Sequence, residues 1–287
     1  MPHIAYVNGR YEHHMEAAVH IEDRGYQFAD GIYEYIAFYN RILLDGAPHL
    51  KRLERSLKEL SIPAPMSLRA MQVIIDELIE RNGREHGGIY IQVTRGVARR
   101  DHVFPKNTPP ALVMTLCAPK FPKPAEINDG VRVITAPDIR WGRCDIKSVS
   151  LLANVLSKQE ASAHKAREAW LIDANHVTEG AVSNTYIITK KNVLVTHHTG
   201  EQILGGITRE MVLSLAKKAG IAVEERAFTL SEAKSAAEAF ITSTSANVLP
   251  VVKIDEDIVG EGKPGKITRK LQEIYNDHIF KQTGFKF

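Results

Sequence analysis

Cysteine is scarce in this chain. Cys117 and Cys144 are its two thiols among 287 residues, and neither sits in a CxxC pair. That excludes a disulfide-stapled scaffold and points to a reducing compartment. Charge of one sign is equally thin. Lys and Arg number 37 against 34 Asp and Glu, a net charge of +3 with no long block of like charge, which argues against a nucleic-acid partner. No run of 18 apolar residues is present, so no membrane span is expected. The first residues lack the charged start and apolar core of a secretion signal, and a cytoplasmic protein is expected. Also missing are a GxxxxGK[ST] loop and any repeat of 20–50 residues, so P-loop and solenoid readings lack their first support. No metal site is expected.

What is there is an ordinary globular composition, 44% hydrophobic and 25% charged. At about 100–200 residues per domain, the length suggests two domains. Ile4–Val7 reads as a strand entering an Asn8-Gly9 hairpin turn. Gly31–Tyr39, rich in Ile, Tyr and Phe, reads as another, turning at Asn40-Arg41. Leu50, Leu53, Leu57 and Leu60 give a helix over 49–62, and Ser67 and Gly83 bracket a second. Strands follow at 88–96 and 111–118, where Cys117 is expected to be a core residue. The Pro-rich stretch Pro119-Lys120-Phe121-Pro122-Lys123-Pro124 is the best boundary. It divides a small N-terminal domain, 1–118, from a larger C-terminal one, 128–287, through a linker at 119–127. The second half interleaves short strands with helices at 151–166, 208–219 and 267–279. Several of its strands are linked by hairpins, so the expected class is α/β with mixed sheets, an α+β arrangement and not a doubly wound fold.

Six places carry candidate chemistry. Lys147 lies in Arg143-Cys144-Asp145-Ile146-Lys147-Ser148, between a strand and a helix. A lysine becomes nucleophilic when desolvation or a cationic neighbour lowers its pKa, and Arg143 is a candidate neighbour. Glu179, in Thr178-Glu179-Gly180 between strands, reads either as a capping residue of a polar turn or as a carboxylate for a cationic ring nitrogen. Ile203-Leu204-Gly205-Gly206-Ile207-Thr208-Arg209 runs into a helix, giving either a plain helix start or a phosphate site. Thr242-Ser243-Thr244-Ser245 is a hydroxyl cluster for the same anion, or a simple turn. Arg52 is a phosphate fork or a surface arginine. Arg100 and His102 stand two apart after a strand, suited to one carboxylate, with Tyr33 a further hydroxyl. A lysine for an imine, a carboxylate for a pyridinium, donors for a phosphate and an Arg/His pair for a carboxylate have one use in common, a pyridoxal phosphate site.

The chain resembles the class IV, or fold-type IV, pyridoxal-phosphate aminotransferases along nearly its whole length. The matching stretches are Asp23-Arg24-Gly25-Tyr26-Gln27-Phe28, Asp30-Gly31-Ile32-Tyr33-Glu34, His49-Leu50-Lys51-Arg52-Leu53, Gln92-Val93-Thr94-Arg95-Gly96, Asp145-Ile146-Lys147-Ser148, Thr178-Glu179-Gly180, Gly206-Ile207-Thr208-Arg209 and Thr242-Ser243-Thr244. Within that family, Arg100-Asp101-His102-Val103-Phe104-Pro105 is similar to the carboxylate-binding element of the D-amino-acid transaminases. The resemblance implies pyridoxal 5′-phosphate between two domains, Lys147 as Schiff-base and catalytic lysine, and Glu179 on the pyridine nitrogen. It implies Arg52, Ile207, Thr208 and Thr244 on the phosphate, Ser243 beside them and Leu204 against the ring. Tyr33, Arg100 and His102 become substrate ligands, the last two reaching in from the neighbouring subunit of a homodimer. The implied activity is ping-pong transfer of an amino group from a D-amino acid such as D-alanine to a 2-oxo acid such as 2-oxoglutarate. A branched-chain L-amino-acid aminotransferase and aminodeoxychorismate lyase share the fold, and a binding protein on an inherited scaffold is the non-enzymatic alternative. One departure is Ala181-Val182-Ser183, where the family often carries a run of serines.

Overall fold

The computed structural model describes residues 3–119 and 121–287. They divide into two compact units. The first takes the N-terminal residues through Pro119 with Ile146–Ser150 and Ile279–Lys286, and the second takes Phe121–Asp145 and Leu151–His278.

In the first unit the chain runs β1 (Ile4–Val7), β2 (Arg10–His13), α1 (Arg24–Phe28), β3 (Gly31–Tyr39), β4 (Ile42–Leu43), α2 (Gly46–Glu59), α3 (Leu68–Asn82), β5 (Gly87–Thr94) and β6 (Ala111–Cys117). The strands form one sheet in the order β2-β1-β6-β5-β3-β4, antiparallel at every pairing. Both expected hairpins form. Asn8 and Gly9 take φ of 45° and 95°, and Asn40 and Arg41 take 50° and 64°, the positive values that a two-residue turn with the strand's own twist requires. Ser67 caps α3 by accepting from the Ala70 amide at 3.2 Å, and Gly83 ends it at φ 58°. Period two then sorts the side chains. Ile32, Ile36, Phe38, Ile89, Ile91, Val93, Leu112, Met114 and Leu116 pack with Leu50, Leu53 and Leu57 of α2 and Met71, Ile75 and Leu78 of α3. Cys117 follows Leu116 and is only half-buried. The expectation of a core thiol is corrected by that alternation, which turns position 117 off the core face.

In the second unit come α4 (Pro124–Asp129), β7 (Val131–Pro137), α5 (Leu152–Ala163), β8 (Glu168–Asp173), β9 (His176–Gly180), β10 (Asn184–Ile188), β11 (Leu194–Thr196), α6 (Ile207–Lys218), β12 (Val223–Glu225), β13 (Phe228–Thr229), α7 (Leu230–Lys234), β14 (Glu238–Ser243), β15 (Asn247–Ile254), β16 (Asp257–Ile258) and α8 (Lys266–Thr283), whose residues from Ile279 on are counted with the first unit. Its ten-stranded sheet runs β12-β11-β10-β14-β15-β7-β8-β9-β13, with β16 on β15. β7 pairs parallel with β8 and β15, and β11 with β12, while the other pairings are antiparallel. The mixed-sheet class read from the sequence is therefore observed. Helix α4 begins inside the stretch read as linker. Pro124 occupies its first turn, where a missing N–H costs nothing.

Leu53 is 1% exposed in the first core. Leu53→Ala is expected to lower unfolding stability by about 2–5 kcal/mol in urea titration. A loss below about 1 kcal/mol would show that α2 does not pack there.

Candidate active site

β4 pairs only with Phe38 and Tyr39, so the Gly31–Tyr33 end of β3 has an open edge on that side. The segment around Lys147 fills it. The Tyr33 amide donates to the Lys147 carbonyl at 2.9 Å, and the Val149 amide to the Gly31 carbonyl at 3.0 Å. This pairing sets Lys147 beside Tyr33. Its Nζ donates to the Tyr33 hydroxyl at 3.3 Å and lies 4.3 Å from the ring centroid. Tyr33 stacks on Tyr90 at 5.6 Å and 27°, and the Tyr90 hydroxyl donates to Gln92 Oε1 at 2.8 Å. Arg143, expected as a cationic neighbour of Lys147, instead pairs with Asp145 through Nε at 2.9 Å and Nη2 at 3.0 Å.

Arg52 is buried, which overturns its reading as a surface arginine. The reason lies in β3, whose core-facing alternation places Glu34, fully buried, between Ile32 and Ile36. Arg52 Nε donates to Glu34 Oε2 at 2.9 Å and its Nη2 to Oε1 at 2.7 Å. His49, one turn earlier on α2, brings Nδ1 to 3.0 Å from Oε1, and the Tyr35 amide donates there at 2.9 Å. Burial pushes the Glu34 carboxyl up, but the Arg52 charge and the His49 hydrogen bond prevail and hold it well below the usual carboxylate range. Burial depresses His49 against the pull of Glu34, so the imidazole is neutral. Sequence reasoning named Arg52 and passed over Glu34 and His49. The signal was available: a glutamate in an apolar alternation, opposite a helix carrying His and Arg three apart.

In the second unit, Glu179 lies within β9, not in a turn between strands, and is 5% exposed. Arg140 Nη1 donates to Oε1, Asn184 Nδ2 to Oε2 at 3.0 Å, and the Leu204 amide to both oxygens at 3.2 and 3.1 Å. Asp138 fixes Arg140 through Nε at 2.9 Å and Nη2 at 2.7 Å. Burial pushes the Glu179 carboxyl up, Arg140 and the Leu204 amide pull it down, and burial prevails to leave it at about 7. Sequence reasoning missed Arg140 and Asp138, whose distance along the chain gave no sign of this ring of donors, and gave Asn184, five residues on from Glu179, no role.

The loop before α6 closes onto the same cluster. Asn184 Nδ2 also donates to the Leu204 carbonyl at 2.9 Å, and a Cβ on Gly206 would meet Asn184 Oδ1 at 2.1 Å. Gly206 is thus required by close approach, and Ile207 and Thr208 open α6, both buried. First-turn amides have no intrahelical acceptors and sit at the positive end of the helix. Strand β14 lies beside β10, with Thr242 opposite Asn184. The Thr242 hydroxyl is held by the Tyr186 hydroxyl at 2.9 Å. Ser243 Oγ accepts from the Ala246 amide at 3.1 Å and lies 3.4 Å from Ser245 Oγ, and Thr244 falls inside that turn. The unit thus gathers Glu179, Leu204, Ile207, Thr208, Ser243 and Thr244 at one end of its sheet. Val182 is exposed, while Ser183 Oγ donates to Glu168 at 3.0 Å.

Arg100 and His102 are exposed, in a bent loop after β5 where a straight extended segment was expected. They meet through Phe28. The Arg100 guanidinium lies 4.6 Å from its ring centroid and the His102 ring 5.3 Å. Among the described residues no cluster of three His, Cys, Asp or Glu side chains could hold a metal, and no helix is long and apolar enough to cross a membrane.

An amine beside a hydroxyl in the first unit, and a buried carboxylate with a free helix start in the second, are the groups of an enzyme that handles amines and anions. The family model for class IV aminotransferases matches residues 31–254. The chain belongs to that family. It is 45% identical to a D-alanine aminotransferase of Bacillus licheniformis, covering 96% of this chain and 97% of that protein, and 42% identical to one of Staphylococcus haemolyticus with the same coverage. Its fold matches the Escherichia coli branched-chain amino acid aminotransferase at 22% identity and TM-score 0.92, over 100% of this chain and 97% of that one. It also matches the branched-chain enzyme of Thermobaculum terrenum, solved in its PLP form, at 24% identity and TM-score 0.86 over 98% of this chain and 95% of that one.

Glu34 gives a test of the buried pair. Its depressed pKa contributes stability above the unfolded value, near 4.3, and that contribution is lost as pH falls toward the folded value. Glu34→Gln is expected to cost about 3–5 kcal/mol at pH 7 and to flatten the acid limb below about pH 4.3. Chemical denaturation across pH measures both. An acid limb identical to the parent's would remove Glu34 as its source.

Proposed function

We propose that the protein moves the amino group of a D-amino acid, such as D-alanine, to a 2-oxo acid, such as 2-oxoglutarate, by a ping-pong route with pyridoxal 5′-phosphate. The observation that carries this reading is the 45% identity to a D-alanine aminotransferase along nearly the whole chain, and the Arg100/His102 pair beside Phe28 agrees with it.

The donor set fits the cofactor by chemistry. Lys147 offers an amine for its aldehyde, and Glu179 offers a buried carboxylate for its pyridine nitrogen. Arg52, the Ile207 and Thr208 amides, and Thr244 with Ser243 beside it suit the phosphate. Leu204, whose amide donates to Glu179, would pack against the ring. When bound, the cofactor supplies an electron sink for charge left at the substrate α-carbon. Lys147 Nζ takes the α-proton and returns it, as general base and then general acid. Tyr33 Oη, at hydrogen-bond distance from that nitrogen, orients it. Glu179 keeps the ring nitrogen protonated, and Arg140 lowers the cost of the charged carboxylate that this task needs. Arg100 and His102 grip the substrate carboxylate, fixing which face of the α-carbon Lys147 meets.

The same reading makes the protein a homodimer in which Arg100 and His102 serve the neighbouring subunit. Exposed Leu152, Val155 and Leu156 on α5 supply apolar surface that a second copy would cover. Neither Cys117 nor Cys144 is in a disulfide, which agrees with the cytoplasm.

Lys147→Ala is expected to lower turnover by a factor of about 10²–10⁴, and borohydride reduction of the parent should mark position 147 in peptide maps. Native-rate turnover by that variant would refute the role. Arg100→Ala should raise the KM for D-alanine about 10- to 100-fold, read from initial rates. In a donor screen D-alanine should exceed L-leucine. The reverse order would move the protein to the branched-chain reading that its fold neighbours represent.

A further inference from the structure

Phe28 ends the short helix α1, and three side chains converge on its ring. The guanidinium carbons of Arg24 and Arg100 lie 4.8 and 4.6 Å from the centroid, and the His102 ring lies 5.3 Å away at 52°. Arg24 is buried, with Nε donating to Asp30 Oδ2 at 2.8 Å and Nη1 donating to the carbonyl of Asp101, the residue between Arg100 and His102. Arg95 grips the same Asp30 carboxylate, through Nε to Oδ2 at 2.8 Å and Nη2 to Oδ1 at 3.0 Å. Backbone bonds join the two segments as well, from the Arg24 amide to the Gly96 carbonyl at 2.9 Å and from the Ala98 amide to the Glu22 carbonyl at 3.3 Å.

An exposed arginine loses rotamer freedom each time it grips an anion. A ring that already holds the guanidinium reduces that loss, because preorganisation lowers the cost of binding. The ring face attracts the cation while its in-plane N–H groups remain directed outward for a carboxylate. Phe28 is half-buried, so packing alone does not account for the convergence of an arginine and a histidine from the loop upon it.

We propose that Phe28 is a positioning residue for substrate binding: its ring holds Arg100 and His102 in the arrangement that grips the substrate carboxylate, and Arg24 ties the intervening Asp101 in place. The proposal rests on the reading of Arg100 and His102 as carboxylate ligands.

The test compares Phe28→Met, which keeps apolar bulk without a ring face, with Phe28→Tyr, which keeps the face. Purified holoenzyme is assayed for kcat and KM with D-alanine and for the inhibition constant of propionate, a carboxylate without an amine. Phe28→Met is expected to raise both KM and the propionate constant about five- to tenfold, with kcat reduced less than about twofold. Phe28→Tyr should keep both constants near the parent's. Parent-like constants in Phe28→Met overturn the proposal, and so do equal rises in both variants, which would mark a packing role. Where the methionine variant does not fold, Arg24→Lys keeps a cation by Asp30 but lacks the fork that reaches Asp101. It carries the same expectation, and parent-like constants there overturn the proposal too. Arg100→Ala is run in parallel. If it leaves KM and the propionate constant unchanged, the carboxylate-trap reading itself has failed. If it raises them while Phe28→Met does not, only the role of Phe28 has failed.

Discussion

A carboxylate buried in an apolar sheet face must be paired or neutralised, because removing an ion from water costs several kcal/mol even after the surroundings relax. Glu34 imposes that condition on the first unit. The neighbours at positions 32 and 36 offer it no polar contact, so the helix laid across the face has to carry the partners. α2 does so with His49 and Arg52, one turn apart, while Leu50, Leu53 and Leu57 fill the rest of the stripe. The ion pair therefore fixes the register of α2 on β3. A shift of one residue along the helix would bring a leucine to the carboxylate and leave the guanidinium in the core. The same pair holds the Arg52 fork still. The phosphate role proposed for Arg52 gains from this, since the rotamer is settled before the ligand arrives.

The opposite face of β3 obeys a different logic. Tyr33 is one residue from Glu34 and so points the other way. Its strand edge is open because β4 is two residues long. A segment from much later in the chain, around Lys147, adds there by backbone hydrogen bonds that do not depend on side-chain identity. The lysine is thus placed by main-chain pairing, and its side chain remains available for chemistry. One strand in this way serves the core with its even positions and the amine of Lys147 with its odd ones.

These two cases also show what is legible in a sequence. Hairpins at Asn8-Gly9 and Asn40-Arg41, the cap at Ser67 and the stop at Gly83 are local, because the turn or cap geometry is set by the residue that adopts it. The mixed sheets follow from how the strands are linked. Lys147, Glu179 and Arg52 stand out by residue type within motifs that resemble a family. Their partners do not. Glu34 lies 18 residues from Arg52, and Arg140 lies 39 from Glu179. No periodicity connects Arg140 to Glu179, which tertiary packing alone joins, whereas Glu34 is marked by its place in an apolar alternation. Polar residues beside a glycine suggest a turn at Glu179, yet it is a strand residue whose charge is absorbed by donors from two distant loops. The apolar neighbours of Cys117 suggest the core, whereas the parity of its position decides the face.

The ring of donors around Glu179 carries a functional consequence. A buried carboxylate left alone takes up a proton, and a protonated acid cannot stabilise a neighbouring pyridinium. Arg140, the Leu204 amide and the Asn184 side chain counter the effect of burial with one full charge and two dipoles. Asp138 in turn prevents Arg140 from being an unpaired buried cation. With one guanidinium between two carboxylates the set leans negative, and Glu179 is the member that faces a ligand in the proposed reaction. A single carboxylate with a milder environment would ionise without help but would be solvated, and its field at the ring nitrogen would be screened. Burial strengthens that field, and the surrounding donors offset part of what burial costs the charge that produces it.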